Sequence, residues 1–261
     1  MHSTNNSQML QVALNAAQAA EQVILEVYSG KFAVDFKADN SPVTVADQQA
    51  EEKIRDIIRK AFPDHGFLGE EYGSDRPGAE FVWIIDPIDG TKNFTRHIPL
   101  FGTEIALMHQ GELILGVSNL PAYKQISWAE KGQGAFCNGS PLQVSSRNTL
   151  SEAYLSFSNL KYFIQKNQAA KLLDLAEDCY VSRGFGDSWA YHFVAQGSID
   201  AIVEAKVNLW DIAAVAVIIT EAGGTVTDLA GEPLTAASSS VLATNGVLHN
   251  TIVEYFRKTH T

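Results

Sequence analysis

Cysteine is scarce in this chain. Only two of 261 residues, Cys137 and Cys179, are cysteine, which excludes a disulfide framework and a cysteine-held zinc cluster. Basic residues are also few: 19 Lys and Arg stand against 30 Asp and Glu, a formal net charge of -11. Such a chain repels nucleic-acid backbone and anionic membrane, so neither is expected as a partner. Long apolar runs are missing as well. The longest, IAAVAVII over residues 212–219, is too short to span a bilayer. The opening MHSTNNSQML is polar and lacks the basic-then-apolar layout of a signal peptide. A soluble cytoplasmic protein is the expectation. No internal repeat or low-complexity tract is visible.

What the chain does have is a globular composition, 46% hydrophobic and 19% charged, long enough for one large domain or two halves sharing a core. Leu10, Leu14, Ala17, Ile24 and Tyr28 share one helical face, which predicts an amphipathic helix over 7–29. A second helix is expected after SPVT (41–44). Thr44 and Asp47 have capping-box spacing, Ile54, Ile57 and Ile58 supply the apolar stripe, and Phe62-Pro63 ends it. GFLGEEYG (66–73) reads as a strand end running into an acidic turn. Residues 102–139 read as strands joined by tight turns, with HQGE (109–112) as a hairpin turn. The polar stretch 131–152 is the expected seam between two halves, 1–145 and 146–261. In the second half, strands are expected near 153–157, 200–205, 225–228 and 240–244, with helices near 166–179, 188–196, 211–222 and 246–257. This pattern predicts an α/β protein with a more antiparallel α+β first half.

The chemistry begins at WIIDPIDGTKNF (83–94). FVWII (81–85) has the residues of a buried strand, and Asp86, Pro87, Asp89 and Gly90 end it with turn chemistry. Paired carboxylates repel unless a cation or proton sits between them. Other acids are at hand: Glu70 and Glu71 after another strand end, Asp47 opening the second helix, and Asp211 in LWDIAA, where a helix begins. Each has a plainer reading. Asp211 can be only an N-cap, Asp47 only the acid of a capping box, and Glu70-Glu71 a solvated turn. Asp86 and Asp89 resist that reading because they bracket Pro87 at the end of a strand that looks central. Hard oxygen ligands without His or Cys nearby point to Mg2+ rather than zinc, and the Ile88 carbonyl is a further candidate oxygen. Gly90 and Thr91 offer backbone N–H groups to a phosphate at a helix N-terminus. Thr91 adds a hydroxyl to orient a water. The set suits metal-assisted hydrolysis of a phosphate ester.

GEE (69–71), DPIDGTKNF (86–94) and LWDIAA (209–214) resemble, in order and spacing, three signature blocks of the inositol monophosphatase superfamily of Mg2+-dependent phosphatases. TVADQQAEEKI (44–54) and EKGQGAFCNG (130–139) resemble family segments too, so the likeness covers almost the whole chain. It implies a five-layer αβαβα sandwich, a homodimer, and a site between the halves. It also implies that Glu70, Asp86, Asp89, Asp211 and the Ile88 carbonyl hold metal. Thr91, with Glu70 and Asp47, would position and activate water, and Gly90 and Thr91 would cradle phosphate.

The leaving group is marked less strongly. The inositol-phosphatase pattern carries Thr where this chain has Lys92 and often Val where it has Thr95. DPIDGTKNF followed by Arg96, SPVTVADQQAEE (41–52) and RGFGDSWAYHFVAQGSIDAIVEAKVNLWD (183–211) are closer to the histidinol-phosphate phosphatase branch. Histidinol phosphate carries an amine and an imidazole, so its pocket should present acids. Asp187 and Glu204 are the candidates, with Asn208 a neutral partner, although Glu204 can serve inositol hydroxyls equally. Asp187 can also be only an N-cap for a helix beginning at Ser188. Trp189 and Tyr191 can stack on an imidazole or simply pack in the core. Lys92 and Arg96 can draw the phosphate dianion in, while solvation accounts for Arg96 equally well. His65, His97, His109 and His192 show no ligand spacing. Two rivals depart further: a non-catalytic interaction protein of the same fold, and a nucleotide phosphatase, which would carry Leu at 88 and Glu at 93.

Overall fold

The computed structural model describes residues 6–37 and 42–258, so Ser41 of the SPVT segment lies outside the described residues. The first helix, Gln8–Ser29, buries Leu10, Ala17 and Ile24 together with Ala13, Ala16 and Ala20; Leu14 and Tyr28 are half-buried at the edge of that face. Small alanines on the buried side let the second helix, Val45–Ala61, lie close against it. That helix has the expected capping box: Thr44 Oγ1 accepts the Ala46 N–H, and the Asp47 carboxylate accepts the Thr44 N–H at 2.7 Å. It ends at Phe62, before Pro63.

Both helices cover one face of an eight-stranded sheet. Third from one edge is the strand Phe81–Asp89, parallel to Gly66–Gly69, beyond which lies only Gly73–Asp75, and antiparallel to Gly102–His109 on its other side. Glu112–Leu120, Gln125–Glu130, Ala135–Cys137 and Ser140–Pro141 extend the sheet outward. The hairpin at Gln110-Gly111 takes φ of 50° and 89°, the left-handed pair that matches strand twist in a two-residue turn.

The helix Leu209–Glu221 covers the other face. It is apolar nearly all round because a second sheet, in the order Val181–Arg183, Tyr154–Phe157, Ala201–Glu204, Val241–Thr244 and Thr225–Thr227, packs on its far side. The helix Asp187–Ala195 shares that middle layer, and Ala169–Asp178 and His249–Arg257 form the outer one. The result is five layers, αβαβα. The helix Leu160–Gln165, the edge strand Val181–Arg183 and the pairing of Val34–Phe36 with Pro42–Thr44 are elements the sequence reading passed over. All are short, and each depends on neighbours more than on its own periodicity. Among the described residues, no helix is long and apolar enough to cross a membrane.

Candidate active site

The strand Phe81–Asp89 carries Asp86 and Asp89 at its C-terminal end. In a regular strand, residues three apart point to opposite faces. Here the pairing with Gly102–His109 shifts register between Asp86 and Asp89, and the irregularity at Pro87 lets both carboxylates line one cavity of about 780 Å³. Thr103 Oγ1 holds the Pro87 carbonyl at 2.8 Å. Asp86 Oδ1 accepts the Ile88 N–H at 3.0 Å, and Asp89 Oδ2 accepts the Ser188 N–H. Gly90 has φ of 86°, and a Cβ there would sit 2.7 Å from the Leu100 carbonyl oxygen, so only glycine fits.

Glu70 enters the same cavity from the parallel neighbour strand, with its N–H on the Ile85 carbonyl at 3.1 Å. Asp211 enters from the helix between the sheets. It is the acid of a capping box rather than the N-cap, which is Asn208; Asp211 Oδ2 accepts the Asn208 N–H at 2.7 Å. Ile88, Gly90 and Thr91 complete this wall. Thr91 Oγ1 donates to the Ile88 carbonyl at 3.0 Å and lies 3.4 Å from Asp47 Oδ1. Asp47 is fully buried behind Thr91 and does not line the cavity itself. Its capping role and its contact with Thr91 coexist, one oxygen for each.

Burial and mutual repulsion raise the acids as a group. Burial pushes Asp86 and Asp89 well above the usual carboxylate range, and Glu70, Asp187 and Asp211 add like charge. Asp211 is pushed up to about 7 and Asp47 to about 6, chiefly by burial. A divalent cation would reverse each of these penalties. Among the described residues, no three His, Cys, Asp or Glu side chains already converge as a preformed cage. One reason is visible: Lys37 Nζ draws off Glu70 at 2.7 Å and Glu71 at 2.6 Å. The donor set is nevertheless all hard oxygen on one cavity wall, which fits a metal of the magnesium or calcium kind.

The second half supplies the rest of the cavity. Asp187 is the first residue of its helix, with φ of 63° and no cap bond, so the N-cap reading does not hold. Asn93 Nδ2 donates to its Oδ2 at 2.9 Å. Glu204 lines the cavity from the end of the strand Ala201–Glu204 and accepts from the Tyr191 hydroxyl at 2.7 Å. Burial, then the Asp187 charge, pushes it up to about 8. Asn208 also lines the cavity. Trp189 is buried between Phe185 and Phe193 and packs in the core, whereas Tyr191 reaches the cavity. His192 is a core residue between the Ser118 and Ser127 hydroxyls. Arg96 is exposed and off the cavity. Lys37, Asn93 and the Tyr191 hydroxyl escaped the sequence reading; only Asn93, inside the DPIDGTKNF block, carried a local signal.

A family description, the inositol monophosphatase family, matches residues 5–261. The chain belongs to the inositol monophosphatase family. That family is generally metal-dependent, and this member is a phosphomonoesterase. The proteins named histidinol-phosphatase in Streptomyces coelicolor and Mycobacterium tuberculosis are 38% and 36% identical to it over 259 and 250 residues. Those matches cover 95% and 94% of this chain and 97% and 96% of theirs. The crystal structure of the extragenic suppressor protein suhB from Bartonella henselae superposes with a TM-score of 0.91 at 29% identity, covering 97% of this chain and all of that one.

Proposed function

We propose that this phosphatase hydrolyses L-histidinol phosphate to L-histidinol and phosphate, with Mg2+ as its metal. The observation that carries the substrate is Asp187, held by Asn93 at the cavity wall and facing the same space as Glu204. Two acids beyond the phosphate end are what an ammonium and an imidazole call for. Likeness to the two histidinol-phosphatases supports the same choice.

Glu70, Asp86, Asp89 and Asp211, with the Ile88 carbonyl, would hold the metal. When bound, Mg2+ would neutralise phosphate charge and acidify a water. The chain's own groups do the rest. Gly90 and Thr91 present N–H groups at the start of the short helix Thr91–Phe94, where the first donors have no partner within the helix. Thr91 Oγ1, set between the Ile88 carbonyl and Asp47, orients the attacking water. Glu70, which lines the cavity, receives the proton that this water loses, while Asp47, behind Thr91, holds the Thr91 hydroxyl that orients the water. Asp187 and Glu204 fix the cationic leaving group, with Asn208 as a neutral contact, and the alkoxide takes a proton from solvent.

Phosphate release with Mg2+ tests this, comparing kcat/KM for L-histidinol phosphate and D-myo-inositol 1-phosphate. The expected preference is about a hundredfold for histidinol phosphate, roughly 2.7 kcal/mol of transition-state discrimination. The reverse preference would favour inositol phosphate, whose hydroxyls Glu204 and Asn208 can also meet. Replacing Mg2+ by Ca2+ or Zn2+ in the same assay tests the metal.

The proposal extends to a homodimer in the cytoplasm. The dimer is supported by the family pattern and is open to sedimentation velocity; the unpaired Cys137 and Cys179 suit a reducing compartment. Residues 1–145 would hold most of the metal donors, and 146–261 Asp211 and the substrate-recognition residues.

A further inference from the structure

The helix Val45–Ala61 buries three charged side chains, Asp47, Glu51 and Arg55, each four residues from the last. That spacing sets them on one helix face. Asp47 meets Thr91. Glu51 and Arg55, one and two turns further on, reach the connection that bears Glu70.

A buried ion pair is weak support for stability, because desolvation offsets its attraction. Here the pair is directed at three residues, Glu70, Glu71 and Tyr72, which join the strand Gly66–Gly69 to the strand Gly73–Asp75. Glu51 Oε2 accepts the Glu71 N–H at 2.7 Å. Its Oε1 accepts Arg55 Nε at 2.7 Å and the Tyr72 N–H at 3.4 Å. Arg55 also donates to the Gly73 carbonyl at 2.6 Å, and its guanidinium lies 5.2 and 5.7 Å from the centres of the Phe67 and Tyr72 rings. With the Glu70 N–H on the Ile85 carbonyl, every N–H of the connection is held. Gly69 passes directly over the pair: a Cβ there would collide with the Glu51 carboxylate. The Glu70 side chain, by contrast, stays 21% exposed, with Lys37 as its partner.

We propose that Glu51 and Arg55 are positioning residues for the metal. They fix the backbone of 70–72, so that Glu70 turns from the Lys37 ammonium to a divalent cation by side-chain rotation alone. A ligand held this way loses less conformational entropy on binding the ion. One helix thereby sets both the hydroxyl that orients water, through Asp47, and a carboxylate that holds the metal. The inference rests on Glu70 being a metal donor.

Calorimetric titration of the metal-free chain with Mg2+ tests it. Glu51→Gln has one acceptor oxygen where the carboxylate has two, so its amide nitrogen would face one of the donors now satisfied. Mg2+ affinity should fall at least about tenfold, the usual penalty for losing a group that orients a metal ligand, while kcat at saturating Mg2+ stays within about twofold. In a Glu70→Gln background the same substitution should cost less than about twofold, because its effect is carried by Glu70. Unchanged affinity in the first background, or equal losses in both, overturns the proposal. A Glu70→Gln chain that binds Mg2+ as tightly as the wild type would instead remove Glu70 from the metal site, and the inference with it.

Should Glu51→Gln fail to fold, Arg55→Lys keeps the charge but lacks the fork that spans Glu51 and Gly73. The same two comparisons then apply, with a loss of at least about threefold expected in the first. Hydrogen exchange gives a readout without metal. In EDTA the Glu71 amide should exchange at least about tenfold faster in Glu51→Gln than in the wild type. Arg59→Met, which breaks the exposed Arg59–Asp75 pair on the same helix, should leave both exchange and Mg2+ affinity unchanged. An equal effect from Arg59→Met, or a Glu71 amide that already exchanges freely in the wild type, is equally fatal.

Discussion

The end of the strand Phe81–Asp89 and the start of the helix Asp187–Ala195 bring acids to the same cavity by opposite means. At the strand end, position is local. Pro87 breaks the register, Gly90 turns the chain, and both acids fall where neighbouring strands already fix the backbone. At the helix start, position is imposed from afar. Asp187 sits in the left-handed region, which Asp tolerates better than most residues, and its carboxylate is held by Asn93 from the other half of the chain. The two regions are tied directly by the hydrogen bond from the Ser188 N–H to Asp89. The general chemistry of phosphate removal thus rests on the rigid, locally specified element, and recognition of the leaving group on a tertiary arrangement.

The comparison breaks most easily at the strand. Asp89→Asn keeps an oxygen for the Ser188 N–H but removes a charge from the proposed metal site. We expect kcat/KM on every phosphate ester to fall about a thousandfold or more, roughly 4 kcal/mol of transition-state stabilisation. A loss below about tenfold in phosphate-release assays at saturating metal would remove Asp89 from the metal site.

The next effect is on stability. In the folded, metal-free chain Asp47, Asp211 and Glu204 are held up at about 6, 7 and 8, above ordinary carboxylates, because burial favours their protonated forms. The folded state therefore binds more protons than the unfolded one. The contribution of these three groups to stability is fullest below about pH 4 and is lost as pH rises through 6 to 8. In EDTA, Tm should drop by about 5 °C or more between pH 5 and pH 8, each kcal/mol being worth about 2–4 °C in a chain of this size. Added divalent metal should flatten the curve. A metal-free Tm that rises over that interval would mean the acids are already compensated.

The same contrast explains what could be read from the sequence. Helix stripes at 8–29 and 45–61, the hairpin at Gln110-Gly111 and the capping box at Thr44 and Asp47 are set by residues a few positions apart. The DPIDGT turn is equally local. Lys37 gave no sign, because its partners Glu70 and Glu71 are more than thirty residues away. Tyr191 read as a core residue, and it is one; only its hydroxyl reaches Glu204. The N-cap reading of Asp187 failed because the helix starts one residue earlier than its periodicity suggests, and a positive φ leaves no trace in an isolated Gly-Asp pair.

Asp187→Asn sharpens the comparison without disturbing the backbone, since Asn also accepts a left-handed φ and can still take the Asn93 N–H. It removes only the charge. KM for histidinol phosphate should rise about tenfold, roughly 1.4 kcal/mol, while kcat changes little. Inositol phosphate should be nearly indifferent. Equal losses on both substrates would mean that Asp187 organises the Asn93 loop rather than meeting a cation.

Tyr191→Phe should give the smallest effect and the finest cut between the two regions. It removes the hydroxyl that donates to Glu204 and leaves the ring packed in the core. Loss of one buried hydrogen bond costs about 1 kcal/mol, but Glu204 also lines the open cavity, where water can replace the lost donor. A rise of about threefold in KM for histidinol phosphate is therefore expected, with kcat and metal dependence unchanged. If kcat fell instead, with KM constant, the Tyr191–Glu204 pair would belong with the strand-end acids in the chemical step, and the separation between the chemistry and the recognition of its leaving group would not hold.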